Sequence, residues 1–331
     1  MDRIKTLLQK LDLSALQGIE IGALDRPLVP KSQGRIFYVD FTDTETLRRN
    51  YTGHPYIRAD RLVQVEGIWG RNTLREAAAA VAPADYVVAS HVIEHVPDLI
   101  AWLEELRQVL KDDGEIRLAI PDRRYTFDYY RAETRLADVL DPHLFGARIP
   151  GSREVIDYVM NATPFDSTMA WNGGLPEVRR PWALQAARAV ELARDVVDNK
   201  NYHDSHCWVF TPHSFASLME MLAETGYLKL KCEWLQDTGR NQHEFFVAMR
   251  PCDDAQQVIA SWRAAAGSVE APEEKEQAAQ AELEGLRSRC GALEAERSQL
   301  TREVQALRTS SSWRLTAPLR ALKRAFGQGA G

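Results

Sequence analysis

Over the first 120 residues, short apolar runs alternate with stretches of helical spacing. The runs are Gly18–Gly22, Arg35–Asp40, Leu62–Val65, Asp85–Ala89 and Glu115–Ile120. Between them, Thr44–Asn50, Asn72–Val81 and Pro97–Leu110 have the composition of helices. Strands that alternate with helices predict βαβ units and a mostly parallel sheet. Lys111–Gly114 (KDDG) reads as a helix stop and a turn ahead of the fifth strand. At the N-terminus Ile4, Leu7, Leu8 and Leu11 have helical spacing, but charges interrupt them, so this is no signal-peptide core.

Residues 121–205 break the rhythm with aromatic and basic residues, loops and a helical piece at Trp182–Asp198. A long insertion after the fifth strand is expected to cover a substrate. Thr211-Pro212 then starts a helix that runs to about Thr225 and stops at Gly226. Tyr227–Leu235 and Glu244–Arg250 read as an antiparallel strand pair at one sheet edge. Residues 251–282 read as a linker. From Leu283 a heptad sets in: Leu283, Cys290, Arg297 and Val304 at a, and Leu286, Leu293, Leu300 and Leu307 at d. This predicts a coiled coil over residues 283–308, hence a homo-oligomer, with two chains or three left open.

Charge divides the chain further. The net charge is −6 over 331 residues, yet residues 309–331 hold four basic residues and no acid. The rest is therefore acidic, which argues against nucleic-acid binding. In the basic end, Leu319, Leu322 and Phe326 share one helical face, with Trp313 and Leu315 just before. Such a segment suits an anionic membrane surface, and a coiled coil that gathers several copies raises its avidity. No apolar run reaches the ~18 residues of a membrane span. Four scattered cysteines give neither a disulfide framework nor a zinc pattern, so a reduced, cytoplasmic protein is expected.

Three clusters carry candidate chemistry. Glu20-Ile21-Gly22-Ala23 is an acid at a strand end followed by a glycine turn, suited to a nucleoside-type ligand. Asp40 ends the second strand where a ribose-binding acid sits. No GxGxxG is present, which argues against NAD. Ser90-His91-Val92-Ile93-Glu94-His95-Val96-Pro97-Asp98 follows the fourth strand, at the edge where open α/β sheets bind ligands. Its histidines and glutamate suit substrate binding, proton transfer or metal coordination, while a structural hydrogen bond serves His95 equally well. A metal needs ligands from elsewhere in the chain, and none is expected.

With Leu106–Gly114 (LRQVLKDDG) and Ile120-Pro121-Asp122, these residues resemble the class I S-adenosylmethionine-dependent methyltransferases over roughly residues 14–250. The glycine motif departs from that family, with Leu24 and Arg26 where glycines are expected. The resemblance implies a Rossmann-like, seven-stranded, mostly parallel sheet with an antiparallel edge pair, here followed by the coiled-coil helix. It implies S-adenosyl-L-methionine as cofactor. Glu20, Gly22 and Ala23 would border its methionine part, Asp40 its ribose, Glu66 (with Asp60 as runner-up) the adenine amine, and Ser90 and His91 the end of the fourth strand. Transfer to a hydroxyl needs an aligned acceptor and a base. His91, His95, Asp122 and His206 are the candidates. Asp204 and His206, two apart, suggest a pair, and Arg123, Arg124 and Tyr125 suggest a grip on an anionic or sugar acceptor.

The stretch SSSWRLTAPLR resembles tails of bacterial surface-polysaccharide glycosyltransferases and their associated methyltransferases. That implies a glycan acceptor, such as an O-antigen or capsule precursor, at the cytoplasmic face of the inner membrane. The rival expectations are a degenerate fold that scaffolds a glycosyltransferase complex, and a methyltransferase for a small metabolite.

Overall fold

The computed structural model describes residues 3–70, 72–174, 182–269 and 272–320. The chain forms two compact units, Met1–Glu270 and Ala271–Gly331. The first contains α1 (Arg3–Leu7), β1 (Gln17–Ile21), β2 (Arg35–Asp40), α2 (Thr44–Asn50), β3 (Gly67–Ile68) and α3 (Leu74–Ala77). Next come β4 (Ala84–Ser90), α4 (Leu99–Gln108) and β5 (Leu110–Pro121). The insertion holds α5 (Leu136–Leu144), α6 (Ser152–Asn161), α7 (Ser167–Trp171) and α8 (Trp182–Asn199). The unit closes with α9 (Pro212–Glu224), β6 (Leu230–Gln236), β7 (Glu244–Pro251) and α10 (Ala255–Ser268).

The seven strands form one sheet in the order β3-β2-β1-β4-β5-β7-β6. The first five are parallel; β7 runs antiparallel to both β5 and β6. Strand residues alternate between the two faces, as the pleat requires. Ile19, Val87, Leu118 and Val247 join a core with helices α4, α9 and α10, whereas Tyr38, Tyr86, Val88 and Phe246 meet α1 and the loop at Leu28-Val29. Leu99, Ile100, Trp102, Leu103 and Leu106 line one side of α4, the 3.6-residue stripe of a packed helix. Asp98 caps that helix by accepting from Ala101 N at 2.9 Å. Arg117, buried in the sheet, pairs with Glu115 and donates to the carbonyls of Leu7 and Gln9 at 2.7 Å. This seats the end of the N-terminal helix on the sheet.

The strand order reverses between β1 and β4, so the crevice beyond their carboxyl ends is the ligand position of such a sheet. Gly22 and Ser90 stand at its two sides.

Four expected elements differ. Leu62–Val65 is no strand. Its amides are used locally, Val63 N donating to Leu24 O at 2.9 Å and Val65 N to Thr44 Oγ1 at 2.8 Å, while Leu62 and Val65 fill a small core with Leu47. Within Asn72–Val81, only Leu74–Ala77 is helical. Lys111–Gly114 belongs to β5, as a bulge between the pairs Ala84–Leu110 and Tyr86–Glu115. Residues 251–282 are not a plain linker. Helix α10 buries Val258 and Trp262, and the Trp262 indole donates to Leu230 O at 2.8 Å. The first unit therefore runs to residue 270.

The second unit contains α11 (Pro272–Thr309) and α12 (Ser311–Leu315). Leu286, Leu293, Leu300, Val304 and Leu307 are all exposed along α11. Leu322, Lys323, Arg324 and Phe326 of the expected basic tail lie outside the described residues. Among the described residues, no helix is long and apolar enough to cross a membrane.

Candidate active site

The turn after β1 is shaped for a ligand. Gly22 has φ +69, and a Cβ there would stand 2.8 Å from Val92 Cγ2 on the other side of the crevice. Only glycine meets both conditions without strain. Leu24 also takes the left-handed region, φ 49, although it carries a side chain. The backbone of a glycine-rich loop is thus kept at this position without the glycine, with Leu24 packed on the Leu47–Leu62–Val65 cluster. Ala23 is buried in the cluster that holds Leu28 and Val29. Buried Glu20 accepts from Leu28 N at 2.6 Å and Val29 N at 3.0 Å, so it holds the loop. Burial pushes its carboxyl up to about 7 against those two bonds.

Asp40 ends β2 and is also buried. Its Oδ1 accepts from Phe41 N at 2.7 Å, and Oδ2 has no hydrogen bond among the described residues. Burial lifts this carboxyl to about 6. A free carboxylate oxygen at the end of β2 fits a ribose hydroxyl. Beside it, Phe41 and Ile68 are large apolar residues left exposed, a fit for the face of a purine. Tyr202, from the insertion, stacks over Phe41 with ring centroids 6.4 Å apart. Ser90 closes β4, where Arg3 donates to its hydroxyl and pairs with Glu244. Nothing in the sequence pattern pointed to Arg3, Phe41, Ile68 or Tyr202.

Two adenine candidates are displaced. Glu66 precedes β3 instead of following it, and it pairs with Lys31 at 2.6 Å while accepting from Tyr38 N. Asp60 is exposed and pairs with Arg58.

Across the crevice, the short turn Ile93–His95 gathers an acid and three histidines. Glu94 is 1% exposed, and neither of its carboxylate oxygens has a hydrogen-bond partner among the described residues. Its Oε1 lies 3.6 Å from His91 Nδ1, 3.9 Å from His95 Nε2 and 4.0 Å from His206 Nε2. The other nitrogen of each ring meets a different carboxylate: His91 Nε2 to Glu244 at 2.9 Å, His95 Nδ1 to Asp204 at 2.8 Å, and His206 Nδ1 to Asp128 at 2.6 Å. Burial opposes charge on His95, but the Asp204 hydrogen bond and the Glu94 carboxylate outweigh it and hold the ring up at about 9. Burial would raise Glu244, yet its bonds from His91 and Arg3 bring it down to about 2. Hydrogen bonds from His95 and Tyr202 bring Asp204, whose side chain is exposed, down to about 2.

The chain brings His206 here by pinning residues 205–210 against the turn. Cys207 N donates to Glu94 O at 2.6 Å and the Trp208 indole to Val96 O at 2.7 Å. Arg131, buried, pairs with Asp128 and donates to His206 O at 2.7 Å. The expected Asp204–His206 pair is therefore exchanged for Asp204–His95 and Asp128–His206.

Asp122 is not placed to act as a base. It is fully buried, holds Arg124 at 2.6 Å, and accepts from Arg124 N and Thr238 Oγ1. Arg124 is fixed on Asp122 and Asp237, and Tyr125 stacks on Trp171 at 4.2 Å, so this segment anchors the insertion instead of gripping an acceptor.

Comparison with known proteins assigns the class. Residues 28–222 match the family model described as a methyltransferase domain, more than half of the chain. The chain belongs to this methyltransferase family, and S-adenosylmethionine is its cofactor; the free Asp40 oxygen, the Gly22 turn and the exposed Phe41 and Ile68 fit that group. No curated protein matches the chain in sequence. Among solved structures, one from Rhodobacter sphaeroides, provisionally described as a Zn-dependent alcohol dehydrogenase, is similar at 13% identity and TM-score 0.42, over 76% of this chain and 90% of that one. Mitomycin 7-O-methyltransferase MmcR is similar at 14% identity and TM-score 0.34, over 73% of this chain and 51% of that one. The CcbJ methyltransferase from Streptomyces caelestis is similar at 10% identity and TM-score 0.32, over 73% and 91%. These likenesses are slight and add nothing about the chemistry.

Proposed function

We propose that this protein transfers the methyl group of S-adenosylmethionine to a hydroxyl of a surface polysaccharide or its lipid-linked precursor. The observation that carries the reading is the Glu94–His91–His95–His206 cluster, across the crevice from the Gly22 turn and next to the end of β4. The bound cofactor supplies an electrophilic methyl group. The chain's own residues then have two tasks, alignment of the acceptor and removal of its proton. Asp40, Gly22 and Glu20 fix the cofactor edge. The histidine cluster, each ring oriented by a carboxylate, receives the hydroxyl. A chain of contacts from Phe41 through Tyr202 and Asp204 to His95 joins the two halves of the crevice.

A sugar acceptor is supported by the partly exposed aromatics of the insertion, Phe127 and Tyr130, whose rings suit the apolar face of a pyranose. The similarity of the tail to polysaccharide proteins points the same way. In this reading α11 assembles two or three chains through its exposed leucines, and the basic end touches the inner face of a membrane. The test is release of S-adenosylhomocysteine on incubation with the cofactor and lipid-linked glycans, against quinols and other small hydroxyl compounds. Turnover with the glycans alone is expected. Turnover with small metabolites alone overturns the substrate class. Cofactor binding with no turnover on any hydroxyl favours the scaffold.

A further inference from the structure

The cluster around Glu94 is unbalanced as it stands. A buried carboxylate without a hydrogen bond is among the costliest groups a protein interior holds. His95 and His206 each turn one ring nitrogen to Asp204 and Asp128, so in a neutral ring the lone pair of the opposite nitrogen faces Glu94, and a proton on either ring competes with a cation for that place. The ligating atoms of Glu94, His95 and His206 converge on one point. At 3.6, 3.9 and 4.0 Å, moreover, no ring nitrogen is within hydrogen-bonding reach of the carboxylate.

Such spacing suits a cation between the groups. The ligating atoms of Glu94, His95 and His206 all lie within 4.8 Å of one another. Ligands around a tetrahedral ion with bonds of about 2.0–2.1 Å stand about 3.4 Å apart, so Glu94 Oε1, at 3.9 and 4.0 Å from the His95 and His206 nitrogens, needs to close on each by about half an ångström. A carboxylate behind each imidazole is the outer arrangement that fixes the tautomer of a metal-bound histidine and raises its basicity. The fourth position of a tetrahedral ion is left to water or to the acceptor, as in sites with three protein ligands.

We propose that Glu94, His95 and His206 bind one divalent ion of borderline softness, Zn²⁺ or Co²⁺ in preference to Mg²⁺. Two imidazoles with one carboxylate form a donor set for such ions, whereas Mg²⁺ prefers oxygen and water. The sequence pattern hid this site because His206 reaches it only through the folding of the insertion. The ion-binding claim stands on the cluster alone; what the ion does rests on the methyl-transfer reading. On that reading it takes the acceptor oxygen as a ligand and lowers the pKa of the hydroxyl. The proton leaves to water, the O–C bond forms as the C–S bond breaks, and S-adenosylhomocysteine departs.

The test strips the full chain with a chelator and titrates it with Co²⁺, followed by its visible d–d bands, then with Zn²⁺ and Mg²⁺. The expected result is saturation at about one Co²⁺ per chain, displacement by Zn²⁺ and none by Mg²⁺. Glu94→Gln and His95→Gln should abolish the bands. Asp204→Asn, on an exposed side chain behind His95, should weaken binding by about 10- to 100-fold and leave the circular dichroism unchanged. Binding of S-adenosylhomocysteine, measured in parallel, should be retained in all three. Absence of saturable Co²⁺ binding overturns the proposal, as does equal binding by wild type and Asp204→Asn. Saturable binding without methyl transfer leaves the site standing and overturns only the activity.

Discussion

Asp40 carries the clearest pH dependence of any residue on the cofactor edge. Its buried carboxyl ionises at about 6. A ribose hydroxyl donates to the ionised form, so a proton on Asp40 competes with the cofactor. Affinity for S-adenosylhomocysteine should therefore be flat above pH 6 and fall below it, by at most about tenfold per pH unit. Asp40→Asn keeps the shape and removes the charge. It should weaken binding at pH 7.5 by about 10- to 100-fold, the value of a hydrogen bond to a charged group, and flatten the profile. Calorimetric titrations between pH 5 and 8 check both, and an unchanged profile in Asp40→Asn would sink the assignment. Gly22→Ala offers a second test at this scale: it combines a positive φ with a Cβ 2.8 Å from Val92, and should lower cofactor affinity more than it lowers the melting temperature. The strand-end positions of these two residues were legible in the sequence, from the apolar runs that they close; their roles toward the cofactor are what the titrations decide. Glu66 was misplaced for a local reason, since β3 begins one residue after it and not before. The isolation of Glu94 was invisible, because it depends on the hydrogen bonds that three distant carboxylates draw away.

Among the elements, α10 shows where periodicity understates structure. Its stretch is rich in alanine and follows a proline, so it resembles a linker, yet it lies in the core that α9 and β6 share. Trp262 is fully buried, packs edge-on against Phe215 at 5.8 Å and donates to Leu230 O. Trp262→Ala should cost about 3–5 kcal/mol of stability in the full chain, measured by denaturant unfolding of the catalytic unit. A loss below about 1 kcal/mol, the range of surface changes, would mean the helix is peripheral. The strands were read more faithfully than the helices. Alternate residues of β2, β4, β5 and β7 enter opposite cores, and a period of two over five or more residues is hard to mistake. The two-residue β3 has no such period. Its neighbours Leu62 and Val65 are apolar because they face a small core, not because they pair in a ladder.

At the scale of the whole molecule, the open matter is what the second unit adds to a complete catalytic unit. Leucines at every d position are exposed along α11, a face that a single chain leaves in water. Their burial between chains is the expected outcome, and Arg297 at an a position should make it weaker than an all-apolar seam. Replacing Leu293 and Leu300 together by lysine should shift the full chain from oligomer to monomer in sedimentation equilibrium, with the melting temperature of the first unit unchanged. The same variant decides how the tail works. One copy of Trp313, Leu315 and Leu319 with a few basic residues binds anionic lipid weakly, whereas two or three copies held together gain about 10²- to 10⁴-fold in avidity. The monomeric variant, tail intact, should therefore lose sedimentation with anionic vesicles about as fully as a chain lacking residues 309–331. If it keeps vesicle binding, one tail suffices and the helix serves something other than avidity; if the tailless chain also keeps it, the membrane contact lies in the first unit.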